Sequence, residues 1–134
     1  MIPKFRAWDS WRKRMSIVDR IYIDTKGVRL YDDFGEYWRD FSDVILMQST
    51  GLKDKNGQEI FEGDVVQYQN IKVPSADSEG VIRYFDNWAM FGIDIEHKEP
   101  RALFFSGLAD HISLEVVGNI YENPELLEAD HDRN

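Results

Sequence analysis

The sequence contains no cysteine. That excludes disulfide staples and thiolate metal sites, and it suits a reducing compartment such as the cytoplasm. Histidine is scarce: His97 lies in a polar breaker, His111 precedes a strand-like run and His131 sits in a polar tail, so each reads as a surface residue. There is no glycine-rich phosphate loop, no His-Glu-x-x-His and no Gly-x-Ser-x-Gly. These absences predict a non-enzymatic protein with no catalytic residue and no cofactor. No apolar run approaches the roughly 20 residues that cross a bilayer. The opening MIPKFRAWDSWRKRM has no apolar stretch of the secretory kind, so no membrane association is expected.

What the chain does have is apolar and aromatic substance, 43% and 13% of 134 residues. That suffices for a packed core and predicts one domain, with lobes at 1–48 and 49–128 and a tail at 129–134. The net charge of −9 repels bulk nucleic acid and favours partners with basic surfaces. Against that trend, Arg12, Lys13 and Arg14 crowd the N-terminal region beside Trp8 and Trp11. Cations interleaved with aromatics are a nucleic-acid-binding pattern. The competing reading is a strand pair whose basic residues are solvated and matched internally to acids, and the overall charge favours it.

Strand patterns recur along the chain. FRAWD (5–9), MSIVDRIYI (15–23) and VRLYD (28–32) alternate or are β-branched, with a turn at Asp24–Gly27 in which Gly27 can take positive φ. They form an antiparallel meander. The next segment, 32–46, is ambiguous. Phe34, Tyr37, Trp38, Phe41 and Ile45 fall at helical spacing, with Asp32, Glu36, Asp40 and Asp43 on another face, yet Gly35 and the aromatics also suit strands. Asp32, Asp33, Glu36, Asp40 and Trp38 are the candidates for binding a basic partner.

The stretch MQSTGLKDKNGQEIFEGDVVQY (47–68) gathers acids and amides as a ligand site would. An EF-hand loop places its glycine sixth, whereas Gly57 is fourth from Asp54, so calcium is not expected. Asp54, Glu59, Glu62 and Asp64 could surround a magnesium ion, but turn ends commonly hold acids without a metal. The reading adopted is scaffold: Asp54–Gly57 as a hairpin turn closed by the Asp54 side chain, and Glu62–Asp64 as a second turn. Beyond it come a polar loop, strands at 80–85 and 88–96 with Gly92 as a bulge, a strand at 113–121 and a short helix capped by Asn123 and Pro124. The order predicts a mainly β fold: an N-terminal antiparallel meander, a small SH3-like C-terminal barrel and a short C-terminal helix. An open barrel leaves edges, through which the chain could self-associate.

KFRAWD, LMQSTGLKDKNGQEIFEGDVV, GVIRYF and EVVGNIYENPELL together resemble the YopX family of phage and prophage proteins. The likeness spans nearly the whole chain and is weakest at 24–43 and 69–79. It implies a β-rich protein working in the cytoplasm of a bacterial host, with no established activity or cofactor and no family catalytic residues to carry over. The expectation is a binding protein acting on a host or phage protein. Two alternatives stand beside it: an acidic inhibitor of a host defence or nucleic-acid-binding protein, and a nucleic-acid-binding accessory module.

Overall fold

The computed structural model describes residues 3–95, 102–104 and 110–127. The chain divides into two compact units, Met1–Ser49 and Thr50–Asn134.

The first unit is built from β1 (Phe5–Asp9), β2 (Arg14–Tyr22), β3 (Gly27–Asp32), β4 (Gly35–Asp40) and the first half of β5 (Val44–Lys53), with a 3₁₀ turn at Phe41–Asp43. Its strands lie in the order β4-β3-β2-β1-β5, all antiparallel. The expected meander is therefore present. The ambiguous 32–46 segment is strand, a 3₁₀ turn and strand. Gly35, at φ 123°, starts β4 in a conformation that helices do not use. The helical spacing of its aromatics is overruled by pairing along β3. Strand alternation then sends Tyr37 and Arg39 to the core-side face and Glu36, Trp38 and Asp40 to the other.

Ala7, Val28 and Leu30 form this unit's small core, with Val18, Tyr37, Phe41, Val44 and Leu46 packed against it. Gly27 is not the positive-φ residue of the β2–β3 turn; Lys26 is, at φ 55°. Gly27 instead lies under the Trp38 indole, where an added Cβ would come within 1.9 Å of the ring.

In the second unit β6 (Glu59–Phe61) pairs with β5. β7 (Asp64–Asn70), β8 (Ser78–Phe85), β9 (Met90–Asp94), β10 (Ala102–Phe104) and β11 (Ile112–Asn119) form a second antiparallel sheet in the order β10-β9-β8-β7-β11. Among the described residues this sheet is open, with β10 and β11 at its edges, rather than a closed barrel. Gly92 pairs in unbroken register with both neighbours, so it is not a bulge. The register shift in this sheet falls between Val116 and Gly118. Ile60, Val66, Ile82, Ile93, Ile95 and Leu114 make an aliphatic core.

The helix expected after Pro124 is present, with 125–127 helical among the described residues. The Asn123 carboxamide does not cap it. Its Oδ1 instead accepts the Asn119 N–H at 3.2 Å. Asn119 in turn accepts the N–H groups of Tyr121 and Glu122 and donates to the Glu122 carboxylate. Gly118 leaves room for this knot, since a Cβ there would lie 2.6 Å from Asn123 Oδ1. The 129–134 tail and the histidines at 97 and 131 lie outside the described residues.

Candidate binding groove in the first unit

Asp9 ends β1 with its side chain fully buried. Its Oδ1 accepts the Trp11 and Arg12 N–H groups at 2.9 and 3.2 Å, and its carbonyl accepts the Lys13 N–H at 2.8 Å. These bonds wind residues 10–13 into a tight loop that Lys13 completes at φ 57°. The other carboxylate oxygen faces Arg39 Nε at 3.2 Å, a charge contact without an aligned hydrogen bond. Burial pushes the Asp9 pKa up, but the Arg12 and Trp11 N–H groups, the Tyr37 hydroxyl and the Arg39 charge outweigh it and bring it below the usual carboxylate value. Asp9 is therefore an ionised anchor, the opposite of a general acid.

Tyr37 stands at the centre of this layer. Arg12 lies 4.3 Å and Arg39 4.8 Å from its ring centroid, and its hydroxyl is 2.7 Å from Ser16 Oγ. Burial, with the carboxylates of Asp9 and Asp32 assisting against the Ser16 hydrogen bond, keeps the phenol protonated beyond its ordinary range.

The loop clamped by Asp9 presents Trp11 to solvent, 74% exposed. Ser10 N–H donates to the Asp43 carbonyl at 3.2 Å, which places the loop beside the 3₁₀ turn. On β4, Trp38 lies over Gly27, 5.3 Å from the Tyr22 ring, and donates its Nε1–H to Asp40 at 3.1 Å. Trp11, Trp38, Arg39, Asp40 and Asp43 line an open groove of about 330 Å³.

The structure redistributes the candidates read from the sequence. Trp11 comes from the proposed nucleic-acid set and Trp38 and Asp40 from the proposed acidic set, yet the three line one groove. The other members largely neutralise one another. Asp32, whose side chain is only 11% exposed, contacts Arg14 at 3.1 Å and Arg12 at 3.7 Å. Glu36 pairs with Arg29 at 3.3 Å. Trp8 is half-buried on β1, while Asp33 and Lys13 stay exposed in turns. The four acids thus do not form the stripe that a helix would have given them.

Sequence reading missed a second feature. Strand register puts Ile17, Tyr31, Trp38 and Ile45 on the same face of the first-unit sheet, together with Trp8 and Met15. All four of the first group are more than a third exposed. A period-2 count along MSIVD and VRLYD could have shown both faces of those strands carrying large apolar residues.

In the 47–68 stretch the two turn aspartates are tied to the backbone. Asp54 Oδ1 accepts the N–H groups of Asn56 and Gln58, both at 2.9 Å, and Oδ2 accepts that of Val116 at 3.0 Å. Burial opposes ionisation of Asp54, but the Val116, Gln58 and Asn56 N–H groups and the Lys55 charge overcome it and lower its pKa. Asp64 accepts the Phe61 N–H at 2.8 Å across the turn at Gly63, which has φ 86°. No three histidine or acidic side chains among the described residues could together hold a metal ion.

A family model described as YopX protein matches residues 4–128. The chain belongs to the YopX family. Two solved structures share the family fold. Protein EF1440 from Enterococcus faecalis is 34% identical, with 95% of this chain and 99% of that one covered and a TM-score of 0.63. YopX from Bacillus subtilis is 20% identical, covering 92% and 95%, with a TM-score of 0.61. Among curated proteins none matches. No helix among the described residues is long and apolar enough to cross a membrane.

Proposed function

We propose that this member of the YopX family is a non-enzymatic binding protein that engages a protein partner, of host or phage origin, in the bacterial cytoplasm. The observation that carries the reading is the outer face of the first-unit sheet, where Ile17, Tyr31, Trp38 and Ile45 meet solvent. Exposed apolar side chains on one sheet face that include Trp and Tyr are the usual substance of interface anchors. Chemistry has weaker support. The two carboxylates with lowered pKa values, Asp9 and Asp54, are held as anions by backbone donors. A nucleic-acid role has weaker support too, because Arg12 and Arg14 direct their charge at Asp32.

One observation favours a basic surface on the partner. The acidity is concentrated in Thr50–Asn134, which carries 7 basic and 17 acidic residues, whereas Met1–Ser49 carries 9 and 8. An inhibitor mimicking nucleic acid would accordingly present its second unit rather than residues 32–43.

The test is affinity capture from bacterial lysate with and without nuclease, using the native chain, an Ile17→Glu/Ile45→Glu variant and a Val117→Glu control. A protein retained after nuclease, lost with the double variant and kept by the control is the expected result. Enrichment that disappears with nuclease would reassign the protein to nucleic acid. Capture of nothing would remove the binding reading. Elution as a dimer that the double variant abolishes would identify the partner as a second copy.

A further inference from the structure

We propose that the groove between Trp11 and Trp38 receives an arginine side chain of the protein partner. This deepens the binding reading above and rests on it for the partner.

The groove offers indole surface and carboxylates together. Trp11 is 74% and Trp38 38% exposed, so both rings can be covered by a ligand. Asp40 and Asp43 stand on the lining with them. Arg39, the cation on the same lining, is committed elsewhere. Its Nε is 3.2 Å from Asp9, its guanidinium carbon 4.8 Å from the Tyr37 ring centre, and its Nη1 donates to the Trp38 carbonyl at 2.9 Å. The two aspartates therefore set the sign of the groove, and a cation complements it.

Geometry selects the kind of cation. An enclosed aromatic box suits a compact ammonium, whereas this groove is open to solvent. A planar guanidinium can lie flat on an indole face and direct its edge N–H groups at a carboxylate, which an ammonium cannot do. The first unit already uses that arrangement internally. Arg12 covers Tyr37 at 4.3 Å and Arg14 covers Phe34 at 4.5 Å, and Asp32 pairs with both cations. In the groove the same pairing of ring and carboxylate faces outward.

The test is titration of the ¹⁵N-labelled full chain with N-acetyl-arginine amide at low salt, with the citrulline and lysine amides as probes of charge and shape. The four indole N–H signals provide internal controls, because Trp8 and Trp88 lie off the groove lining. The expected result is saturable movement of the Trp11 and Trp38 signals alone. Citrulline should bind at least about tenfold more weakly, and Trp11→Ala and Asp43→Asn should each weaken the arginine probe by about three- to tenfold. An unchanged Trp8 signal in those variants would verify the fold of the first unit, to which Trp8 belongs. No movement, movement of all four signals together, or equal response to citrulline would overturn the proposal. Equal response to lysine would overturn the choice of guanidinium. The two readings fail separately. Arginine-induced shifts with no protein captured from lysate leave the groove standing without the partner. A partner captured equally by Trp11→Ala, with no arginine response, leaves the partner without the groove.

Discussion

The two units solve the same problem with different materials. The second buries an aliphatic set of six residues, Ile60, Val66, Ile82, Ile93, Ile95 and Leu114, and carries all of the chain's excess negative charge. Among the described residues the first fully buries a smaller apolar set, Ala7, Val28 and Leu30, with Met47 nearly so, and adds a polar and aromatic layer. That layer is Asp9, Tyr37, Arg39, Ser16, Arg12 and Asp32, stacked and paired within a few ångströms. The lesson is that a thin sheet can be held by one buried carboxylate and arginines laid on a ring. Its opposite face leaves Ile17, Tyr31, Trp38 and Ile45 in contact with solvent. The second unit also buries carboxylates, Asp54 and Asp64, but uses them on backbone N–H groups at turns beside an aliphatic core rather than on arginines and a ring.

This contrast can be broken by mutation. The largest effect is expected in the aliphatic unit: Leu114→Ala should cost about 3–5 kcal/mol in urea unfolding, because the site is wholly buried and hemmed in by rigid strands. Leu30→Ala in the thinner core should cost less, about 2–3 kcal/mol, since half-buried neighbours can settle into the gap. Hydrogen exchange resolved by unit would assign each loss. Equal losses would erase the distinction.

Next come the two carboxylates. Asp9→Asn should cost the first unit about 2–3 kcal/mol by leaving Arg39 without its counter-charge, and Asp54→Ala should cost the second a similar amount by stranding three backbone N–H groups. Both carboxylates have lowered pKa values in the folded chain. Their contribution is thus present above the unfolded carboxylate value of about 3.9 and is lost as pH falls through the lower folded value. Stability measured from pH 6 downward should fall less steeply in either variant than in the parent.

Smaller still is Gly27→Ala, expected to cost about 1–3 kcal/mol while lifting Trp38 from its bed, which the Trp38 indole signal would register. Least is Arg29→Ala, whose partner Glu36 is well exposed; urea unfolding should change by less than about 0.5 kcal/mol.

Much of the fold was legible because its punctuation is chemical. Asn56-Gly57, with Asp54 two residues ahead, announced a turn, and Asp54 closes it through the predicted bond to Asn56. The strands at 5–9 and 28–32 showed in their alternation. Residues 32–46 resisted because aromatic spacing near 3.6 is also compatible with strands that carry aromatics on both faces. Only pairing with β3, a nonlocal fact, decides between them. The groove was half visible. Trp11, Trp38 and Asp40 were singled out, but for two different roles. Nothing local in the sequence says that the loop after β1 returns to the turn after β4, a closure made by the Ser10 bond to Asp43.

Asp54 has a consequence for the order of assembly. One of its oxygens is satisfied within four residues, whereas the other waits for Val116, 62 residues further on. As the chain leaves the ribosome, the first unit can complete its hairpins among neighbours, and the Asp54 turn can form at once. The second unit must hold a carboxylate oxygen and the outer edge of β7 open to water until residues 112–119 emerge, because β11 pairs with β7 and with no strand made in between. Translation therefore leaves a timed vacancy in the second unit, and its length is set by how quickly the ribosome crosses residues 71–111.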